Sequence, residues 1–581
     1  MLIAGMGWAA PFLSPHFLEP ISSFYGESAA ILLGLLAFTF LRASNLGADL
    51  EIPRGSLMFL GFAALVLLHA ALGRSAFLQQ NILAALYLLW ALMVSVMAWQ
   101  LREQFGLQKL LVCVSWFTLA GALLSALIGL AQVWGIPTPF VPYVVPRVDA
   151  RVYANTGQTN HLANYLCLGL VALGYLFSIG RLRRTWALLL ALPLLWVAAL
   201  SGSRSVWLYL PALLGLSLLW RWKRPSETAI RRWTFFVVVL GAYLIAQWAV
   251  DLPGLAPPQS PETVASRIDK LGMHSPVRLR MWHAAWLMFA DAPVLGQGFR
   301  QFAGEFFLLN AQLPPPRIEN EVLDHAHNLI FHTLAEFGIV GFVVLLAGFL
   351  SWVAAMRRMG RTPESFWLVA VAAILGIHSM LEYPLWYAYF LGVAALVLGV
   401  SESRSVRMGN RASLKFLLPL ILAFAWMSAA NIYSDYRTLQ SLQGNRVGAR
   451  NVDAGGKTLN GLLELQKHSV FAPFVELALS RVMELNRERI QDKLFLNAAV
   501  MRFAPAADVA YRHAILLALG DRDKEACTQW QLAEANYPLG RSVALEWLRG
   551  PGLANDAGVR KLLGFATAGN RGTDAQEREI H

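Results

Sequence analysis

Residues 324–350 read DHAHNLIFHTLAEFGIVGFVVLLAGFL, a polar cluster that opens directly into an apolar run. At about 1.5 Å per helical residue, Leu329 to Leu350 is long enough to cross a hydrocarbon layer of ~30 Å. Imidazoles at the mouth of such a helix are costly unless they face water or a partner, so His325 and His327 mark a candidate site. They sit at the water end of the segment.

Outward from this stretch, further apolar runs lie near 3–14, 28–41, 56–72, 80–99, 108–133, 160–179, 185–200, 205–220, 233–250, 366–380, 384–400 and 414–430. With 329–356 they make about thirteen membrane segments. Of the 581 residues, 56% are hydrophobic and only 14% charged, where a soluble chain carries about 25% charged. Lipid leaves backbone polar groups no partner outside their own segment, so the expected fold is an all-α polytopic membrane protein.

The formal charge of +12 does not point to nucleic acid, because the basic residues gather in short loops between apolar runs. They fall at Arg181, Arg183 and Arg184; at Arg221, Lys223, Arg224, Arg231 and Arg232; at Arg357, Arg358 and Arg361; and at Arg404, Arg407, Arg411 and Lys415. These are alternate connections, as a zigzag chain requires, and the positive-inside bias puts them in the cytoplasm. The connections near 134–158, 201–204, 251–327 and 381–383 are then outside, with the N-terminus inside and the C-terminus outside. Cys113, Cys167 and Cys527 offer neither a disulfide framework nor a CxxC pair. The first apolar stretch lacks a basic start and carries Pro11, Pro15 and Pro20, so no cleavable signal is expected.

Two domains are expected: a membrane domain over 1–430, including the large external loop 251–327, and an external helical domain over 431–581. Within the second, Ala514 and Leu517 on one helix and Ala526, Trp530, Ala533 and Pro538 on the next match the packing positions of a tetratricopeptide-like helical pair. A polar, disordered tail is expected from about Ala568.

The external face collects Gln158, Asn160 and His161 from GQTNHLANY, Arg204 from SGSRS, Arg278 and Arg280 from SPVRLRMWHAAW, His325 and His327, and Tyr383 from LEYPLWYAYF. Arginine carries a permanent charge and a planar fork of donors suited to phosphate, so three of them beside an imidazole suggest a phosphate-linked substrate. An imidazole can take or steer the proton of an incoming hydroxyl. Plainer readings stand beside these. The arginines could be interfacial anchors, and Gln158 and Asn160 could be helix-entry caps. Tyr383 could be an aromatic-belt residue beside Trp386 and Tyr387, and Arg278 to Ala292 a helix lying in the interface. The histidines could ligate a metal together with His332, or with Asp324, Glu319 and Glu321. His327 and His332 are five apart on a helix and do not share a face, which argues against that.

Taken in order, SGSRS, RLRMWHAAWLMFADAPVLGQGFRQF and HAHNLIFHTLAEFGIVG resemble the bacterial glycan-ligase and polymerase superfamily that includes the O-antigen ligases. The stretches PFLSPHFLEPISSFYGE, GQTNHLANY and LEYPLWYAYF, with the C-terminal domain, are most similar to the pilin-type protein O-oligosaccharyltransferases. The resemblance implies a multi-pass protein of the bacterial inner membrane with its active site in the periplasm. It implies transfer of a glycan en bloc from polyprenyl diphosphate to a Ser or Thr hydroxyl of a pilin-like protein, without a metal or other cofactor. The essential histidine of the family falls on His327, its glutamine on Gln158 and its tyrosine on Tyr383. The superfamily's arginines fall on Arg278, four residues before Trp282, and on Arg204, which Ser205 follows where the superfamily often has Gly. Arg204 and Arg278, with Arg280 as a helper, would bind the diphosphate, and His325, Asn160 and His161 would support.

The rival readings are an O-antigen ligase, whose acceptor is a lipid A core sugar, and a glycan polymerase, whose acceptor is another lipid-linked glycan. A transporter of an anionic lipid is the rival of another class. It would place charges mid-span and break helices in paired halves, whereas the charges here gather at one surface.

Overall fold

The computed structural model describes residues 1–568 apart from 17, 45–49, 137–142, 146–150, 224, 251, 253–274, 316, 408–410 and 445–451. The expected tail from about Ala568 lies outside the described residues. The membrane bundle comprises α1 (Leu2–Met6), α2 (Ala10–Leu13), α3 (Phe24–Ser44), α4 (Leu57–Ala71), α5 (Leu78–Phe105), α6 (Leu107–Val133), α7 (Thr159–Ser178), α8 (Arg184–Leu200), α9 (Val206–Lys223) and α10 (Glu227–Ala249). Then α11 (Ser275–Asp291) and α12 (Phe302–Gln312) precede α13 (Leu329–Met359), α14 (Pro363–Ser379), α15 (Ala388–Ser401) and α16 (Arg411–Gly444). The remainder is α17 (Val452–Gln466), α18 (Ala472–Val482), α19 (Ile490–Phe503), α20 (Ala507–Leu519), α21 (Asp523–Asn536), α22 (Arg541–Arg549) and α23 (Ala557–Ala568).

This is an all-α multi-pass membrane protein: among the described residues, eight helices are long and apolar enough to cross a membrane, joined by shorter apolar helices. The first apolar run falls short of the expectation. It breaks into α1 and α2, and Leu2–Leu13 cannot traverse ~30 Å at about 1.5 Å per residue. The Met1 carbonyl lies against Cys113 of α6, so this segment packs on the bundle. Strand Glu51–Pro53 pairs antiparallel with Ser405–Arg407, tying the α3–α4 and α15–α16 connections at the end of the bundle opposite His327.

The helix that follows HAHN is not continuous. Asn328 caps it, its Oδ1 accepting from the backbone N–H of Ile330 and Phe331. At Gly338 the chain turns to φ 62°, ψ −159°, a conformation that only glycine adopts cheaply. The loop 293–298 occupies the break. Gln297 and Gly298 donate their N–H to the freed carbonyls of Ala335 and Glu336, while Ile339 and Val340 donate to Pro293 and Val294. Backbone groups opened within a membrane helix are thus satisfied by a neighbouring strand of chain, as lipid requires. A Cβ on Gly338 would stand 2.4 Å from the Val294 carbonyl oxygen.

The expected boundary at 430 does not coincide with a break, because α16 runs on to Gly444. The C-terminal helices pack against α12. Phe307 of α12 shares their core with Trp530, Ala514 and Ala533, and Asn310 donates to Asn536 at 2.8 Å. The pair α20 and α21 packs through Tyr511 and Trp530, ring centroids 4.9 Å apart, with Ala514, Ala526 and Trp530 fully buried.

Candidate active site

His327 and Glu382 meet at the mouth of α13, with Nδ1 2.9 Å from Oε2. The imidazole is brought there by a left-handed backbone, φ 49°, in the turn that Asn328 closes. Glu382 follows α14, its N–H donating to the His378 carbonyl at 2.7 Å. Its other oxygen accepts from Asn160 Nδ2 at 2.7 Å, and Asn160 Oδ1 in turn accepts from the Ser203 hydroxyl at 2.7 Å. Arg278 Nη2 stands 3.8 Å from Glu382 and 3.3 Å from the Leu381 carbonyl. Burial pushes the Glu382 carboxyl up, but His327, His378 and Arg278 outweigh it and hold the group below its ordinary range.

A second acid–imidazole pair lies alongside. Asp324 Oδ1 is 2.7 Å from His325 Nδ1, and Arg300 Nη1 donates to Asp324 Oδ2 at 3.1 Å. His325 is 3% exposed, its ring flat against Tyr383 and stacked on His332 with centroids 4.9 Å apart. Burial lowers its imidazole to about 4, against the raising effect of Asp324. Burial likewise raises the Tyr383 phenol to about 12, so that it stays a hydrogen-bond donor. The two imidazoles of HAH therefore address different carboxylates. A cleft lined by His325, His327, Glu382, Tyr383 and Trp386 separates them.

Behind the second pair opens a cavity of about 390 Å³. Its walls are mostly apolar, with Phe59, Phe62, Leu88, Phe337 and Leu391 from four membrane helices and Phe471 and Phe474 from the C-terminal region. Arg300, Asp324, His325 and Tyr383 form its polar head. Within the walls, Tyr87 donates to the buried carboxylate of Glu27 at 2.5 Å.

The remaining expected residues divide. Arg204 is exposed, and its guanidinium has no hydrogen-bond or ion-pair partner among the described residues. It follows Ser203, which holds Asn160. The tight turn there belongs to Gly202, φ 62°, and Ser205, just ahead of α9, has no positive φ. Gln158 stands at the N-cap of α7, yet its side chain makes no cap bond and its buried Oε1 is unpartnered. Asn160 is bound to Glu382 rather than capping, which corrects the cap reading for both. His161 does not face the cleft: it is 2% exposed, enclosed by Tyr387, Phe390 and His378.

Arg280 is a correction. Its guanidinium donates to Asn310 Oδ1 at 2.8 Å and to the carbonyls of Asn310, Leu313 and Pro314. It ties α11 to α12 and is turned away from the cluster. Residues two apart on a helix point about 200° round its axis from one another, which is why Arg278 reaches Glu382 while Arg280 does not. Sequence reasoning missed Glu382 and Arg300. Glu382 adjoins Tyr383 within LEYPLWY, and an acid beside a singled-out tyrosine was the available signal; Arg300 has none, because its approach to Asp324 depends on the break at Gly338.

A family of O-antigen ligases matches residues 187–346, and one described as virulence factor membrane-bound polymerase, C-terminal, matches 366–544. By these matches the chain is similar to the O-antigen ligase superfamily of membrane glycosyltransferases. Within it, the chain is similar to the general O-oligosaccharyltransferase of Acinetobacter baylyi (strain ATCC 33305 / BD413 / ADP1), at 24% identity over 75% of each chain. It is also similar to the ComP-specific O-oligosaccharyltransferase of the same strain, at 22% identity over 68% of this chain and 70% of the relative.

Proposed function

We propose that the protein is a protein O-oligosaccharyltransferase of the bacterial inner membrane, with its cleft and C-terminal region in the periplasm. It moves a glycan en bloc from polyprenyl diphosphate to a Ser or Thr hydroxyl of a pilin-like acceptor. The acceptor oxygen attacks the anomeric carbon, His327 takes the hydroxyl proton, and the bond from that carbon to the diphosphate breaks with its electron pair leaving on the lipid diphosphate. Arg204 and Arg278 stabilise the charge that develops there, as preorganised cations do in a partly dry site. Gln158, with an unpartnered buried oxygen, and Tyr383 hold sugar or phosphate by hydrogen bonds.

The observation that carries the reading is the juxtaposition of the His327–Glu382 pair, with Arg278 beside it, and the polar head of a largely apolar cavity, the cleft and the cavity sharing His325, Tyr383 and Trp386. The cavity suits a polyprenyl tail, and its head leads into the cleft at His325 and Tyr383. Similarity to two relatives named O-oligosaccharyltransferases favours a protein acceptor over a glycan one.

The test is coexpression of the protein with a lipid-linked glycan pathway and a candidate pilin, read by intact-protein mass. A mass increase of one glycan block on the pilin is the expected result. Unmodified pilin together with glycan moved onto lipid A core or lengthened on its carrier would instead favour a ligase or a polymerase.

A further inference from the structure

One buried carboxylate gathers three stretches that lie far apart in the chain. Glu382, 6% exposed, meets His327 from HAHN, Asn160 from GQTNH and Arg278 from RLRMW. Arg278 is the outermost of these at 3.8 Å and spends a donor on the Leu381 carbonyl, so His327 and Asn160 are the principal partners. Asn160 is itself oriented: because its Oδ1 accepts from Ser203, its Nδ2 must face Glu382. That fixed amide leaves Oε2 as the oxygen that lies 2.9 Å from the imidazole Nδ1.

We propose that Glu382 is a positioning residue for glycan transfer, holding the His327 ring in the tautomer and orientation that leave Nε2 free to take the acceptor proton. The proposal rests on His327 being the base of the reaction above. A carboxylate only accepts hydrogen bonds, so the ring nitrogen facing it carries the proton and the lone pair lies on Nε2. As the acceptor oxygen bonds to the anomeric carbon, its proton passes to Nε2. Nδ1 keeps its own, and Glu382 remains a carboxylate beside the imidazolium. In a site shielded from water that pairing is worth more than at a surface.

His325 provides an internal comparison. It too has a carboxylate at Nδ1, but Asp324 is shared with Arg300 and the ring is closed in by Tyr383, His332 and Trp386. The His327 side chain is 22% exposed. Of the two pairs, only His327 and Glu382 combine a buried orienting acid with an imidazole that a hydroxyl can reach.

The experiment uses the full chain in nanodiscs, a lipid-diphosphate oligosaccharide as donor and a serine-containing acceptor peptide. Glu382→Gln keeps the size of the side chain but presents an amide that no longer dictates the tautomer. It is expected to lower kcat by about 10²–10⁴-fold with the acceptor KM within about twofold and no shift in thermal midpoint. In a His327→Ala background the same substitution is expected to cost less than about twofold more, since coupled residues are not additive. Parental kcat in E382Q, or an equal loss in both backgrounds, overturns the proposal. Should E382Q fail to accumulate, Glu382→Asp, which keeps the charge but draws it back from Nδ1, is read by the same criteria. A parental rate in His327→Ala alone would remove His327 as the base, a separate failure that the single variant identifies.

Discussion

The rings of His325 and Tyr383 lie flat on one another, centroids 4.0 Å apart and planes 6° from parallel. Tyr383 is therefore more than a belt residue at the headgroups: it is one wall of the cleft and part of the head of the cavity. Losing the ring in Tyr383→Ala is expected to destabilise the protein by roughly 2–4 kcal/mol, from burial and stacking together. Tyr383→Phe keeps the stack and is expected to hold the thermal midpoint while lowering kcat about tenfold through loss of one hydrogen bond. Parental turnover by Tyr383→Phe would leave the residue a purely packing role.

His327→Ala is expected to abolish most transfer, by about 10²–10⁴-fold, without loss of membrane insertion. Insertion is set by the apolar runs, and His327 lies outside α13 at its mouth. Near-parental transfer by well-expressed H327A would remove the residue from the site.

The arginines should respond differently from one another. Arg278→Lys and Arg204→Lys keep charge but lose the planar fork, so the KM for donor is expected to rise in both. Arg280→Lys should instead lower the thermal midpoint with donor KM unchanged, because the fork there ties α11 to the carbonyls after α12. Donor binding unaltered in the first two variants would make them membrane anchors.

Stability is expected to fall as the medium is acidified. His325 titrates at about 4 in the folded protein against its ordinary 6.5, so between those values the unfolded chain binds more protons and folding weakens as pH drops. Asp324, held below the usual carboxylate range by His325 and Arg300 against the upward push of burial, adds a loss of the same sign at lower pH. Thermal midpoints measured from pH 7 to pH 4 should decline in the parent and decline less steeply in His325→Asn. Equal slopes in the two proteins would show that His325 does not carry the effect.

Transfer is expected to survive chelation. Arg204 and Arg278 can neutralise the diphosphate, and a dication among them would be repelled. Protein treated extensively with EDTA and assayed with lipid-diphosphate oligosaccharide and acceptor peptide should keep most of its rate. Loss restored by one divalent cation would make Asp324, His325 and His327 the leading ligands instead.

Hydropathy is a local property, and the sequence alone therefore determined the all-α membrane class, the position of nearly every apolar helix and the gathering of His327, Asn160, Arg204, Arg278 and Tyr383 at one end of the bundle. Lipid permits few alternatives to a helix for an apolar run of that length, so these features needed no knowledge of neighbours. What depends on neighbours was decided only by the tertiary structure. Nothing in LAEFGIVG announces that Gly338 breaks the helix, because the break is stable only with residues 293–298 inserted into it. Arg278 and Arg280 look alike in RLRMW, yet one faces Glu382 and the other the carbonyls after α12, a distinction set by helix rotation against what happens to pack there. The partner of His327, an acid 55 residues further on, became visible only when α14 brought Glu382 back to the mouth of α13.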